Sequence, residues 1–189
     1  MTDAPTYASR GGIKLAAALD AFALDPAGQT CVDLGCSVGG FTDCLIQRGA
    51  AAVYAVDTQY GQLAWKLRQD DRVHVMERTN ALHATPPDQA QAACGLATLD
   101  LGWTKLDKAI PAALRWLAPA GSIVALVKPH YESGQHHIED DAQAHAISRA
   151  AAQAAAQAHS LTVAGLIDAP IRGSKGGNLE QLAWLKPNA

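Results

Sequence analysis

The chain has 189 residues, a size that suits one α/β domain with a sizeable core, and its 49% hydrophobic against 17% charged residues exclude a disordered chain. A formal net charge of −3 and a pI of about 6.1 exclude a surface that is basic throughout, so any RNA contact must come from a few placed cations. No run reaches ~18 apolar residues without charge, and residues 1–10 carry no apolar segment of a secretion signal, so neither a transmembrane helix nor export is expected.

One domain is expected over residues 1–189, with 1–6 flexible. A first strand is expected at Thr30-Cys31-Val32-Asp33-Leu34 and a helix over 41–48, stopped by Gly49. Val53 to Asp57 reads as a second strand, 62–68 as a helix and 73–76 as a third strand. A fourth strand over 96–100 follows a loop containing proline, then a helix over 106–117 and a buried strand over 122–127. The Ala-rich stretch 143–159 reads as an outer helix, and 161–167 and 179–185 as two closing strands. Alternating strands and helices predict a mostly parallel α/β sheet covered on both faces. The last two strands have no helical pattern between them, so they should form an antiparallel hairpin. That combination is typical of the Rossmann-like sheet of adenosylmethionine-dependent methyltransferases. Cys31, Cys36, Cys44 and Cys94 show neither C-x-x-C nor Cys/His metal spacing, which predicts reduced thiols in a cytoplasmic protein and no metal site.

The first strand runs into Asp33-Leu34-Gly35-Cys36-Ser37-Val38-Gly39-Gly40-Phe41. Glycines there permit a tight strand-to-helix turn and close approach of the backbone to a ligand. Ligands of open α/β sheets bind beyond the carboxyl ends of the strands. The glycine spacing fails the dinucleotide fingerprint, and Phe41-Thr42 stands where a phosphate-binding loop needs Lys-Ser or Lys-Thr. D-x-G-x-x-x-G-G followed by an acidic strand end, Asp57, fits S-adenosylmethionine, with the Asp57 carboxylate accepting the ribose hydroxyls. The expected cofactor site is Asp33, Gly35, Ser37, Gly39, Gly40, Phe41, Asp57, Asn80 and Asp100. Asn80 is placed to pair with the adenine edge, or else is a turn residue, and Asp100 lies beside the methyl group.

Four polar residues stand where a methyl acceptor would lie. They are Lys14 in the Ser9-Arg10-Gly11-Gly12 segment, Asp100 and Lys128 at the ends of the fourth and fifth strands, and Glu180 opening the last strand. Methylating an alcohol requires removal of its proton, and a lysine serves only if its pKa falls well below about 10.4. Burial and the second cation should push Lys128 down, while Asp100 and Glu180 oppose this and orient the two lysines.

These motifs resemble the TlyA-type proteins, often labelled haemolysins, of the FtsJ-like ribose 2′-O-methyltransferases. The matching pieces are Ser9-Arg10-Gly11-Gly12-x-Lys14-Leu15, Gly39 to Leu45, Tyr54 to Asp57, Tyr60 to Arg68, Met76 to Asn80, Val127-Lys128-Pro129 and Gly177-Asn178-x-Glu180. The resemblance runs from about Tyr7 to Leu185 and implies a catalytic Lys14-Asp100-Lys128-Glu180 tetrad, S-adenosylmethionine as cofactor and ribosomal RNA as partner. The family's small N-terminal RNA-binding domain has no counterpart ahead of the Ser-Arg-Gly-Gly segment, so a partner protein is an alternative source of that contact. The family's Val-Ser-Phe after the acid becomes Leu101-Gly102-Trp103, its Lys-Pro-Gln-Phe-Glu becomes Lys128-Pro129-His130-Tyr131-Glu132, and the turn over 173–178 is one residue longer. These departures bear on the acceptor.

Arg10, Lys66, Arg68, Lys105, Arg172 and Lys175 are candidates for a phosphate-binding rim, half or more of them ordinary surface charges. Trp103 or Tyr131 can stack on a base, and His136-His137 reads as a solvated pair. Competing functions are methylation of another acceptor, a non-catalytic adenosylmethionine- or RNA-binding module, and membrane lysis. Lysis is disfavoured because the 142–158 helix has no bulky apolar face.

Overall fold

The computed structural model describes residues 6–173 and 177–188. The expected flexibility at 1–6 therefore falls, apart from Thr6, outside the described residues, as do Lys175 of the expected rim and part of the turn over 173–178.

Seven strands form one sheet in the order β3-β2-β1-β4-β5-β7-β6, with β1 Thr30–Leu34, β2 Ala52–Val56, β3 Val73–Met76, β4 Cys94–Leu99, β5 Leu117–Val127, β6 Leu161–Asp168 and β7 Gln181–Pro187. Strands β1 to β5 pair in parallel, while β7 is antiparallel to both β5 and β6. The expected hairpin is thus present, and its second strand is the inner one. The reason lies in composition: Leu182, Ala183 and Leu185 of β7 are fully buried, whereas β6 alternates buried, half-buried and exposed residues, as an edge strand does.

Helices cover both faces. α1 (Gly11–Phe22), α2 (Gly40–Gln47) and α3 (Trp65–Arg68) share a core with Cys31, Val53, Leu96 and Leu182. α4 (Leu106–Leu114) and α6 (Asp141–Ala158) share the other with Val32, Leu34, Val56, Leu99 and Trp116. Successive side chains of β1 point to opposite faces, so Val32 and Leu34 join the second core and Cys31 the first. A short α5 (Pro129–Ser133) follows β5 with proline in its first turn, the position where the missing N–H costs nothing. Asp140 caps α6 by accepting from Ala142 N at 2.8 Å.

Three elements differ from the sequence reading. α1 lies in a segment for which no element was expected; Leu15, Ala18, Leu19 and Phe22 recur at helical spacing and are all buried. The helix expected over 62–68 is one turn, because Ala64 N bonds Val38 O and fixes the preceding segment as loop. α4 stops at Leu114, and Leu117 instead begins β5 opposite Cys94; the register then shifts before Ser122 meets Leu96, so Pro119 and Gly121 lie in the irregularity.

Candidate active site

The carboxyl ends of β1, β2, β4 and β5 open on a cavity of about 600 Å³ whose lining includes Gly35, Ser37, Asp57, Asn80, Asp100, Lys128 and Glu180. A second cavity of about 350 Å³ is lined by Ser9, Lys14, Gly40 and Phe41. Both share Gly35, Ser37 and Asp100, so they meet where β1 and β4 end.

Asp57 follows β2 directly. Its Oδ2 accepts from Ser37 N and its Oδ1 from Gln59 N, each at 2.8 Å. Ser37 reaches this geometry with φ of 49°, the left-handed region. The carboxylate is thereby fixed, and each oxygen retains acceptor capacity toward the cavity. Asn80 lies in the same lining; its Oδ1 accepts from Leu82 N at 3.0 Å, so it is a turn residue, and its amide nitrogen has no hydrogen-bond partner among the described residues.

Asp33 and Gly39 line neither cavity, and Gly40 lines the smaller one. Asp33 is fully buried. Its carboxylate accepts from Thr42 Oγ1 of α2 at 2.7 Å and from Thr98 Oγ1 of β4 at 3.0 Å, and burial pushes its pKa up to about 6. It braces the loop. Gly39 has φ of 98°, and a Cβ there would run into Leu67 and lie 2.7 Å from Leu63 Cδ1, which is packing with α3 and its lead-in segment. At Gly40 a Cβ would collide with Ser9 Oγ and come within 2.9 Å of Gly12 N. These two glycines let other protein segments approach, a role beside the tight turn and the ligand approach expected of the loop.

The four residues of the expected tetrad converge as two ion pairs. Lys128 Nζ lies 2.5 Å from Asp100 Oδ1, and Lys14 pairs with Glu180, both partners of the second pair being buried. Asp100 and Lys128 follow the carboxyl ends of parallel strands. Glu180 precedes an antiparallel strand, so its start lies at that same sheet edge, and α1 brings Lys14 across from the other side. Burial pulls the Lys128 pKa down, but the carboxylates of Asp100 and Glu180 together outweigh it and leave it above the ordinary lysine value. Of the opposing influences expected on Lys128, burial lowers as expected and the carboxylates raise as expected, the carboxylates together having the larger effect.

The sequence reading gave no individual role to His130, Glu132 or Asn178. His130 lines the larger cavity and is only 7% exposed. Glu132 Oε1 accepts from Leu106 N at 2.8 Å and so ties α5 to the start of α4. Asn178 Oδ1 accepts from Ile138 N at 3.2 Å and bonds His137 Nδ1 at 2.7 Å, so the His136-His137 segment is anchored, not merely solvated. Adjacent tetrad residues were the available signal for His130 and Glu132. Trp103 is exposed and stacks on Tyr131 at 4.5 Å, with Lys128 Nζ 5.2 Å from the Tyr131 ring, so the two aromatics form one shelf beside the lysine. Of the expected rim, Lys66 pairs with Asp43, Arg68 with Glu77 and Arg172 with Asp141, whereas Arg10 and Lys105 have no ion pair among the described residues.

The donor set fits S-adenosylmethionine. A fixed carboxylate (Asp57) that could accept from ribose hydroxyls and an amide (Asn80) that could pair with an adenine edge line one cavity, and the acid Asp100 stands at the junction, where a sulfonium would gain from a negative neighbour.

The family model described as "FtsJ-like methyltransferase" matches residues 7–159. The Bacillus subtilis protein YqxC, named as an rRNA methyltransferase, is 42% identical over 186 residues, covering 95% of this chain and 65% of its own. A Mycobacterium tuberculosis protein named 16S/23S rRNA (cytidine-2′-O)-methyltransferase TlyA is 41% identical over 185 residues, covering 95% of this chain and 68% of its own. The chain thus spans about two thirds of the length of these relatives. A solved Streptococcus thermophilus structure carrying a hemolysin name superposes with a TM-score of 0.90 at 38% identity, over 100% of this chain and 70% of its own.

Proposed function

The chain belongs to the FtsJ-like methyltransferase family, and we propose that it transfers the methyl group of S-adenosylmethionine to a ribose 2′-hydroxyl of RNA, ribosomal RNA first. The observation that carries this reading is the pair of cavities meeting at Asp100, with the ribose-holding Asp57 in one and the two lysine–carboxylate pairs at the junction. The acceptor class is supported by the relatives named as rRNA methyltransferases, one of them for a cytidine 2′-oxygen.

Bound S-adenosylmethionine supplies an electrophilic methyl carbon on a sulfonium. Asp57 and Asn80 hold the nucleoside end and Asp33, from below, keeps the loop over β1 in place. The Lys128 ammonium donates a hydrogen bond to the acceptor oxygen and sets its line to the methyl carbon, and Asp100 fixes the lysine's direction. Lys14 and Glu180 form the opposite wall. The Trp103–Tyr131 shelf offers a stacking surface for the acceptor base, and Arg10 and Lys105 are cations available to phosphates. A ribosomal acceptor implies action in the cytoplasm, and whatever RNA-gripping surface the domain itself lacks falls to another segment or a partner protein.

Membrane lysis finds no support: among the described residues no helix is long and apolar enough to cross a membrane, and the buried face of α6 is made of Ala144, Ser148, Ala152, Ala155 and Ala156. The test is labelled methyl transfer to total RNA, isolated ribosomal subunits and protein extract, followed by digestion to nucleosides. Label on a ribose is expected. Label only on a base or on protein would defeat the reading.

A further inference from the structure

We propose that Glu132 is a positioning residue for the acceptor: it holds the loop that carries Asp100 and Trp103 against Lys128. This rests on the methyl-transfer reading above. Residues 101–105 join Asp100, at the end of β4, to the start of α4. Gly102, Trp103 and Thr104 make no backbone–backbone hydrogen bond among the described residues. Trp103 has φ of 53°, a left-handed backbone that a residue with a Cβ keeps only where its surroundings impose it. The loop's own chain therefore does not fix its shape.

The segment after β5 supplies what does. Lys128 Nζ meets Asp100 Oδ1 at 2.5 Å and Leu101 O at 3.5 Å, where the loop begins. The Tyr131 ring stacks on Trp103 in its middle, with centroids 4.5 Å apart. Glu132 Oε1 accepts from Leu106 N at 2.8 Å, where the loop ends. Tyr131 and Glu132 lie three and four residues beyond Lys128, the spacing that puts side chains on one helical face, and their N–H groups both bond Lys128 O. One face thus grips the loop at its beginning, middle and end. Glu132 lines neither of the two cavities that meet at Asp100, so it acts through the loop and not on substrate.

α4 receives no side-chain cap from its own N-terminal residue, Lys105. The first N–H groups of a helix lack partners within it, and a carboxylate is an acceptor they favour. Without Glu132 the start of α4 loosens and the loop relaxes with it. Trp103 then leaves its strained backbone and its stack on Tyr131, and Asp100 loses its set direction toward Lys128. A carboxamide keeps an acceptor oxygen at the same place. The oxygen, more than the charge, is what the grip needs.

The test compares the full chain with Glu132→Ala and Glu132→Gln in single-turnover methyl transfer, over a range of concentrations of the acceptor that the wild type labels. E132A should be slower at saturation by about tenfold or more, since a misplacement of about 1 Å can cost about 100-fold. It should also need several-fold more acceptor to reach half its maximal rate, with calorimetric S-adenosylmethionine affinity within a few-fold of wild type. E132Q should stay within about threefold of wild type, because a neutral acceptor weakens the bond without abolishing it. In a Trp103→Ala background the effect of E132A on acceptor demand should largely vanish, since the shelf that Glu132 holds is gone. A second readout needs no acceptor. The near-ultraviolet circular dichroism difference made by Trp103→Phe, measured in each background, isolates the Trp103–Tyr131 stack; it should persist in E132Q and be lost in E132A. E132A with the wild-type rate, E132A that keeps the difference signal, an undiminished effect in the Trp103→Ala background, or E132Q as slow as E132A overturns the proposal. If E132A does not fold, Glu132→Met, similar in length and without an acceptor oxygen, takes its place. If the wild type labels a base or a protein instead of ribose, the reading of the substrate fails, while the same comparison on that acceptor and the dichroism still decide Glu132.

Discussion

Lys128 Nζ and Asp100 Oδ1 stand 2.5 Å apart at the point where the two cavities meet, one delivered by the end of β5 and the other by the end of β4. The neighbouring strands β4 and β5 are in register from Leu96↔Ser122 to Leu99↔Ala125, and β5 runs on to Val127, so Lys128 starts two positions beyond the level of Asp100 and its long side chain spans the offset.

Removing the lysine should separate chemistry from cofactor binding. Lys128→Ala is expected to lower the rate of methyl transfer by about 100-fold or more and to leave S-adenosylmethionine affinity within a few-fold of wild type. Asp100→Ala should reduce both, because in the proposed reading the acid lies beside the sulfonium as well as the lysine. Rate measurements beside calorimetry on the two variants check this. A Lys128→Ala enzyme with wild-type turnover would remove the lysine from the reaction.

Asp57 should govern affinity. Asp57→Ala deletes the acceptor for two ribose hydroxyls, and hydrogen bonds to a charged group contribute about 1.5–3 kcal/mol each. The dissociation constant for S-adenosylmethionine should rise by roughly tenfold or more. Equal heats of binding for variant and wild type would show that the ribose is held elsewhere.

Asp33 carries a pH signature. Its folded pKa is about 6, raised by burial from 3.8. Between these values folding takes up a proton, so the contribution to stability is greatest at the acid side, falls as pH rises through about 6 and is level above it. The full fall is of order 3 kcal/mol. Asp33→Asn should flatten it, and urea unfolding at acid and neutral pH, on both proteins, measures the difference. Parallel curves for the two would show that the carboxyl titrates normally.

Gly40→Ala tests whether the glycine serves protein packing. Alanine at a helix position gains up to about 1 kcal/mol of helix propensity over glycine, but here its Cβ meets Gly12 N at 2.9 Å as well as Ser9 Oγ. Overpacking of this kind costs about 1–3 kcal/mol, so net loss of stability is expected in denaturant titration. Because α1 also carries Lys14, methyl transfer should fall with it. A more stable and fully active variant would show that the Ser9–Gly12 segment moves aside freely.

What the sequence determined follows from local rules. β-branched and apolar runs end where polar residues begin, which is why Asp57, Asp100 and Lys128 were legible as strand-end residues and lie together at one edge of the sheet. The mostly parallel character of the sheet and the closing hairpin were legible for the same reason, while the strand order was not read from the sequence. What only the tertiary structure decided depends on contacts across long separations. Lys14 and Glu180 are 166 residues apart and meet because β7 inserts antiparallel beside β5, carrying its start to the edge where Asp100 and Lys128 lie. The role of Gly40 is set by how closely the Ser9–Gly12 segment docks. Likewise the charge of Lys128 is a contest between burial and two carboxylates, and it was settled by the distance to Asp100 and not by residue type.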